Sequence, residues 1–507
     1  MLFRLAPALL YIFAIAVAPA AAIRAGVAKV NATMPTGVPL AGYNYAPRAS
    51  SSYPLPKETP FTTFMGPSVG HRDTTWAKAL VLETDETSVC FVTFDVIGSD
   101  GTLAKLAYSM AKDLGFTVPF DNVIVSGSHS HSGPGALAPP FLWSIAPATD
   151  LLVPEIQREA ASRLAEAMVK AQQALTEVKV GMGQGDIIGY THNRRSDEPS
   201  GKIDPVTSVL RVDDAATGAP MATLWNFAIH GICLDAPNLL SSADIMGAVS
   251  DNIEAQGGGV AIFHNGDAGD INPVFSKACC SSHDGGSSEL CGGAPMAELV
   301  MAIRANVSTT SNAALSAASQ RIDFGQTKLN LTLARAGACP SNARTPIAGG
   351  LHPAAQRGQA EIDICALCKM LDCTLNIEFG PAWVATDPLF TAIRLVLDET
   401  QNGIFVTIPG EALVDLGWMI RNSTQQLGYQ NTFLTGYSQD HMGYFAMPKQ
   451  YDDGGYESLL TFWGIETAHK VWQSVVQVAQ TVTPPDAVAR ATAFLQRQHE
   501  TFLAQHH

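Results

Sequence analysis

Four apolar, strand-like runs in this chain each lead into a residue that can hold a metal or move a proton. Asn122-Val123-Ile124-Val125 leads to His129, Met221 to Ile229 leads to His230, Gly259 to Phe263 leads to Asp270, and Ile404 to Ile408 leads to Glu411. In open α/β sheets ligands bind in the crevice beyond the carboxyl ends of the strands. The pattern therefore predicts an α/β fold: a large mixed β-sheet core with flanking helices and an active site at the carboxyl ends of the strands. Two neutral imidazoles plus a carboxylate, with one position left open, is the ligand set of a catalytic zinc centre.

The densest of these sites is Ser126 to Gly135, which reads S-G-S-H-S-H-S-G-P-G. Small residues, glycine and proline after an apolar run make an exposed turn. His129 and His131 stand one residue apart, and in an extended segment alternate side chains point the same way. Imidazole is also the commonest protein metal ligand. Each residue has a plainer reading too. His230 follows an apolar strand and fits a hydrogen-bonded core histidine. Glu411 opens an expected helix, where the dipole alone favours a carboxylate. Asp270 lies in a glycine-rich turn that tolerates Asp for conformational reasons. Only their joint placement argues for function.

Composition excludes several classes. A net charge of −15 argues against nucleic acid and offers no basic patch for anionic lipid. With 47% hydrophobic and 15% charged residues, the 507-residue chain is long and apolar enough to bury a large core. Residues 1–22 have the layout of a secretory signal peptide: Arg4, then an apolar run from Leu5 to Val17, then the small residues Ala18-Pro19-Ala20-Ala21-Ala22. No later run reaches membrane-spanning length. The expectation is a secreted, extracellular protein whose membrane contact is at most peripheral. Acceptor tripeptides for N-glycosylation at Asn31, Asn306, Asn330 and Asn422 agree with that compartment. So do the cysteines: Cys279, Cys280 and Cys291 in one cluster, and Cys339, Cys365, Cys368 and Cys373 in another, read as disulfide staples before they read as zinc ligands. Cys90, in an apolar strand, reads as a buried free thiol.

Residues 23–75 are rich in proline, glycine, serine and threonine and read as irregular surface wrapping. Strand-like runs follow at 76–83 and 88–96, then helical periodicity from Leu103 to Leu114 before the strand at 122–125, which makes a parallel crossover unit. Leu152 to Leu175 is the clearest helix, with Pro154 in its first turn. Strands are expected at 178–182, 208–212, 321–333, 390–397 and 432–434. Helices are expected at 245–255, 296–305, 411–421 and 459–479, with a helical tail beyond. The polar loop Tyr190 to Ser196 carries Arg194 and Arg195. Residues 336–385 read as a cysteine-bearing insertion or lid, and residues 23–507 as a single catalytic domain.

Five separated segments resemble the neutral (non-lysosomal) ceramidases: Gly42-Tyr43; S-G-S-H-S-H-S-G-P-G; Trp225 to His230; Gly269-Asp270-Ile271-Asn272-Pro273; and Tyr444 with Tyr456-Glu457, beyond Pro409-Gly410-Glu411. The resemblance implies a zinc ion (Zn2+) held by His129, His230, Glu411 and Tyr444. It implies that His131 lies beside the metal and helps hold or polarise the scissile carbonyl, and that Gly42, Arg194 and Tyr456 line the pocket for the polar head of a ceramide-like lipid. The chain departs from the family in two ways. The family's nucleophile-position serine, in its Gly-Asp-x-Ser-Pro-Asn motif, is Asn272 here, and a carboxamide cannot form an acyl-enzyme as serine does. The family's carboxyl-terminal immunoglobulin-like sandwich is expected to be absent. The expected activity is thus a zinc-dependent amidohydrolase cleaving the N-acyl amide of ceramide-type sphingolipids into fatty acid and sphingoid base. In it, zinc-activated water attacks, and Asn272 donates a hydrogen bond to the developing oxyanion. The alternatives are a non-catalytic lipid-binding homologue, or a zinc hydrolase of another N-acyl amide or ester.

Overall fold

The computed structural model describes residues 21–43, 48–49, 58–145, 149–195, 201–280, 290–330, 376–398, 401–453 and 455–504. Eight strands make one mixed sheet, in the order Val260–Asn265, Pro220–Phe227, Val206–Asp214, Thr176–Asp186, Arg24–Asn31, Trp76–Glu83, Ser88–Phe94, Val123–Gly127. Only the outermost pair at each edge is parallel. Five more strands make a second sheet, in the order Ala21–Ala22, Asn312–Arg321, Leu389–Val396, Asn402–Thr407, Asn431–Thr435.

The inner faces of the two sheets share one apolar layer, in which Leu80, Phe91, Val180 and Leu224 meet Leu315, Ile393, Phe405 and Phe433. Phe91 packs on Phe405 with ring centroids 4.6 Å apart. Helices cover both outer faces. Gly101–Asp113 and Pro154–Gln173 pack on the large sheet, while Val414–Gln426, Thr467–Val482 and Pro485–Ala504 cover the smaller one. Helix starts follow from local chemistry. Asp100 caps the first helix by accepting hydrogen bonds from the backbone N–H groups of Thr102 and Leu103, and Pro154 supplies the pre-set φ of a first helical position.

The expected α/β core with flanking helices is what forms, with the refinement that it is two stacked sheets rather than one. Several local expectations change. Within the supposed wrapping of residues 23–75, Arg24–Asn31 is an interior strand of the large sheet, paired with Trp76–Glu83 on one side and Thr176–Asp186 on the other. Its burial alternates as a strand's should, but flanking Gly, Pro and Thr residues mask the period. Of the strand expected at 321–333, Thr327–Asn330 forms and pairs with Asn376–Phe379, and a longer strand, Asn312–Arg321, precedes it. The small side chains of the longer strand, Ala and Ser, give little apolar contrast. The helix expected at 411–421 begins at Val414, because Glu411–Ala412 is extended and pairs in parallel with Tyr444–Phe445. The helix expected at 459–479 is Thr467–Val482, preceded by the single turn Tyr456–Leu459.

Residues 1–20 of the signal-peptide segment lie outside the described residues, and Ala21–Ala22 pair with Asn312–Ala313. Most of the 336–385 insertion, with Cys339, Cys365, Cys368 and Cys373, is also outside them. Its returning end meets the Phe141–Ile145 helix, where the backbone N–H groups of Phe141 and Leu142 donate to the carbonyls of Ala382 and Trp383. Cys233–Cys279 and Cys280–Cys291 are disulfide-bonded, and Cys90 is a buried free thiol as expected.

The two edge strands of the large sheet lie at opposite ends of its order, yet their carboxyl ends meet. Asn265, fully buried at the end of Val260–Asn265, ties them together. Its Nδ2 donates to Ser128 O at 3.1 Å and Ile229 O at 2.7 Å, while its Oδ1 accepts from Ile229 N at 3.2 Å and Gly266 N at 2.9 Å. A backbone bridge between Ser130 and Gly231 completes the join. One carboxamide thus fixes the segments that carry His129 and His230 against each other.

Two stability predictions follow from this packing. A Cβ at Gly26 would sit 2.0 Å from Ala171 O, backbone of the helix that covers the sheet, so Gly26→Ala should destabilise the chain by about 1–3 kcal/mol. The check is its denaturant midpoint beside that of the parent. Asn265→Ala strands buried donors and acceptors at about 1–3 kcal/mol each, and the same measurement should place it below Gly26→Ala.

Candidate functional site

His129, His131 and His230 form the group whose ligand atoms lie within 4.8 Å of one another. Each ring is oriented by its Nδ1. His129 Nδ1 is 2.7 Å from Ile97 O, His230 Nδ1 is 2.7 Å from Ala268 O, and His131 Nδ1 is 3.1 Å from Gly42 O. A carbonyl oxygen only accepts, so each Nδ1 carries the proton and each Nε2 keeps its lone pair. Burial holds all three rings neutral. It draws His129 down to about 4, and His131 and His230 well below the usual imidazole range. The Nε2 atoms of His129 and His131 face each other at 3.2 Å as two lone pairs.

The imidazoles do not converge by strand alternation, as the sequence pattern suggests. His129 has φ of +71°, in the left-handed region that a side chain rarely adopts. Its ring then stands perpendicular to that of His131, with centroids 4.8 Å apart, and stacks on Tyr437 at 3.9 Å. Gly42 is needed beneath His131, because a Cβ there would fall 2.4 Å from His131 Nδ1. Fully buried Arg48 holds both loops through the carbonyls of Ala41 and His131 and the Ser132 hydroxyl.

The second sheet brings in the remaining ligand candidates. Glu411 and Tyr444 are direct partners in the short parallel pair Glu411–Ala412 with Tyr444–Phe445. That pairing removes the helix-dipole explanation for Glu411, which lies ahead of the helix and not in its first turn. Glu411 Oε2 sits 3.5 Å from His129 Nε2 and 3.7 Å from His230 Nε2 and has no hydrogen-bond partner, although it is buried. Burial raises the Glu411 carboxyl, and the Tyr444 hydroxyl hydrogen-bonds to it. With neutral imidazoles and an ionised Glu411 these contacts set lone pairs against a carboxylate, and a cation between them makes them favourable. The donor set of nitrogen, carboxylate and phenol oxygen therefore fits a divalent metal.

Asp270 braces the site rather than joining it. Its Oδ1 accepts from Val414 N, at a helix start with no side-chain cap of its own, and its Oδ2 accepts from Asn193 Nδ2. Burial pushes its carboxyl up to about 6. Arg194 arrives on the strand Thr191–Asn193, which pairs with Ile271–Pro273. Its Nε donates to Glu457 at 2.7 Å, and its Nη2 donates to Gly269 O at 2.7 Å and to the Tyr444 hydroxyl at 3.2 Å. Its Nη1 lies 3.1 Å from His230 Nε2 and 3.4 Å from Asn272 Oδ1. Tyr456 packs edge-on against Tyr444 with centroids 5.4 Å apart.

All nine residues singled out in the sequence thus gather in one region. Sequence reasoning missed Asn265, Tyr437, Arg48 and His441. His441 Nε2 lies 3.4 Å from Glu411 Oε1, and burial draws its ring down to about 3. A cleft lined by Trp143, Val384, Leu460, Phe462, Glu411 and Tyr444 opens beside these groups.

A family model described as neutral/alkaline non-lysosomal ceramidase, N-terminal, matches residues 61–294. Neutral ceramidases A and B of Dictyostelium discoideum are 24% and 27% identical over 182 and 180 residues, and the neutral ceramidase of Mycobacterium tuberculosis is 24% identical over 180. These alignments cover 31–32% of this chain and only 24–28% of the relatives. Among solved structures, neutral ceramidase from Pseudomonas aeruginosa matches with TM-score 0.67 at 16% identity, over 90% of this chain and 74% of that one. A ceramidase complexed with C2 matches with TM-score 0.68 at 18% identity, over 90% and 75%. These two likenesses bear on the fold alone. The model matched by residues 61–294 is that of the family which the separated motifs resemble.

Proposed function

We propose that this chain is a zinc-dependent amidohydrolase that cleaves the N-acyl amide of ceramide-type sphingolipids, releasing a fatty acid and a sphingoid base. One observation carries the reading. Three neutral imidazole lone pairs and an unpartnered carboxylate oxygen face one another beside an apolar cleft. In this reading His129, His230, Glu411 and Tyr444 hold the metal. Zinc bound there supplies Lewis acidity and brings a water to a pKa of about 7.

The chain's own residues do the rest. Trp143, Val384, Leu460 and Phe462 take the acyl chain out of water, as the apolar lining of a ligand cleft does. That burial sets the amide carbonyl at the base of the cleft. His131, the least buried of the three imidazoles, steadies the carbonyl in this reading. Asn272 turns its Oδ1 toward Arg194, which leaves the amide Nδ2 as a donor for negative charge on the carbonyl oxygen. Such a donor is worth about 3 kcal/mol in the transition state. Arg194, Gly42 and Tyr456 frame the polar head from the other side.

Secretion belongs to the same proposal. Asn31, Asn306 and Asn422 are exposed, as glycan acceptors must be, and the disulfides suit an oxidising compartment. Among the described residues no helix is long and apolar enough to cross a membrane, so the substrate would be met at a membrane surface.

The test is hydrolysis of N-acyl sphingosine by purified protein. Chelator-stripped protein should lose turnover and regain it with Zn2+; full activity without metal sinks the proposal. His129→Ala should abolish turnover together with bound zinc, measured as metal per chain. Asn272→Leu should lower kcat by about 10²–10³ with the metal retained. A second reading, a lipid-binding protein without catalysis, is favoured by Asn272 standing in place of serine. It predicts an inactive parent and an active Asn272→Ser variant in the same assay.

A further inference from the structure

His441 is buried at the base of the cleft, and no family motif quoted above includes it. Its chemistry is fixed by one neighbour. The backbone N–H of Gly443 lies 3.2 Å from His441 Nδ1, and a backbone N–H can only donate. Nδ1 is therefore the acceptor, and in the neutral ring the proton sits on Nε2. This is the opposite tautomer to that of His129, His131 and His230. The buried Nε2 has no hydrogen-bond partner, and Glu411 Oε1 lies 3.4 Å from it.

The ring has little freedom to turn elsewhere. The Trp143 ring lies against it at a centroid distance of 3.9 Å. Gly98 backs both rings, since a Cβ there would come within 2.9 Å of Trp143 and 3.3 Å of His441 Cδ2. The Glu411 carboxylate is thus divided: Oε1 faces a donor on the cleft side, and Oε2 faces the Nε2 atoms of His129 and His230.

We propose that His441 is a positioning residue for the metal centre: its otherwise unpartnered Nε2–H attracts Glu411 Oε1, so that Oε2 stays turned toward the imidazoles. The inference rests on the reading of Glu411 as a metal ligand. Outer partners of metal ligands commonly change metal affinity by about 10–100-fold. Trp143, which forms part of the cleft wall, clamps the same ring, so His441 also joins the substrate wall to the ligand shell.

The experiment measures Zn2+ affinity of the full chain by competition with a chromophoric chelator, and records the visible spectrum of the Co2+-loaded protein. His441→Phe keeps a ring but removes the donor. It should weaken Zn2+ binding about 10–100-fold and shift the Co2+ bands. His441→Gln, whose amide can donate over a similar reach, should recover most of the affinity and the parent spectrum. Melting temperatures of the metal-free proteins identify a variant that fails to fold. In that event His441→Asn, too short to reach Oε1, replaces His441→Phe. Parent-like affinity in His441→Phe overturns the inference, and so does an equal loss in His441→Phe and His441→Gln. Glu411→Gln is measured alongside. If it leaves Zn2+ affinity unchanged, the ligand reading itself fails. If it weakens binding while His441→Phe does not, only the positioning role is lost.

Discussion

The constraint on which this architecture depends is the commitment of three imidazole Nδ1 protons to three backbone carbonyls, those of Ile97, Gly42 and Ala268. Each bond fixes a tautomer and a ring plane, and each leaves a lone pair facing the same small region. Lone pairs 3.2 Å apart repel, and the Glu411 carboxylate beside them adds negative charge to a fully buried place. Such a cluster is costly to assemble, because buried polar groups without partners lose their hydration for nothing in return. It persists only where the surrounding backbone over-determines it. The left-handed φ of His129, the close approach of Gly42 to His131 and the fully hydrogen-bonded Arg48 are the means by which this chain does so.

Stacking two sheets accounts for how residues so far apart in sequence reach one point. Both parallel pairs of the large sheet lie at its edges, and their carboxyl ends deliver His129 and His230. The parallel pair of the smaller sheet, Asn402–Thr407 with Asn431–Thr435, delivers Glu411 and the segment that carries Tyr444. Asn265 closes the first set of ends on itself. Asn226, buried beside it, joins the first set to the second by bonding both the N–H and the carbonyl of Leu434. The apolar layer between the sheets holds this arrangement at a distance from the chemistry, so the site itself can be almost entirely polar.

Much of this was legible in the sequence, for a physical reason: strands buried on both faces read as apolar runs, and the residue after the run is where the sheet stops and function begins. That rule found His129, His230, Asp270 and Glu411. It could not separate the proposed ligand from the brace, because Asp270 and Glu411 have the same local signature and differ only in what faces them. Arg24–Asn31 escaped because Ala25, Gly26 and Ala28 are three of its four buried residues, and small side chains give weak contrast. The pairing of Glu411 with Tyr444 was out of reach of local pattern altogether, since a two-residue strand has no period. His441 escaped for a similar reason. It lies in a polar run, and its value depends on a single backbone N–H two residues on.

The charge count around the site explains why Arg194 belongs there. Arg194 and Arg195 both bond Glu457, so one carboxylate balances two guanidinium groups and a single positive charge is left over. Arg194 turns that surplus toward the Tyr444 hydroxyl and His230 Nε2, and Glu411 is the carboxylate that offsets it. With neutral imidazoles these four groups sum to zero, and the Asp270 carboxyl, when ionised, makes the site one charge negative. A neutral amide can enter such a site without meeting a like charge, and a divalent cation among the lone pairs makes the sum positive. Negative charge gathering on a carbonyl oxygen during hydrolysis would meet a pre-set positive field in a place that excludes water, which is where electrostatic stabilisation is strongest. Glu457 therefore matters as much as Arg194: without it, two buried guanidinium groups would oppose the entry of the cation that the lone pairs require.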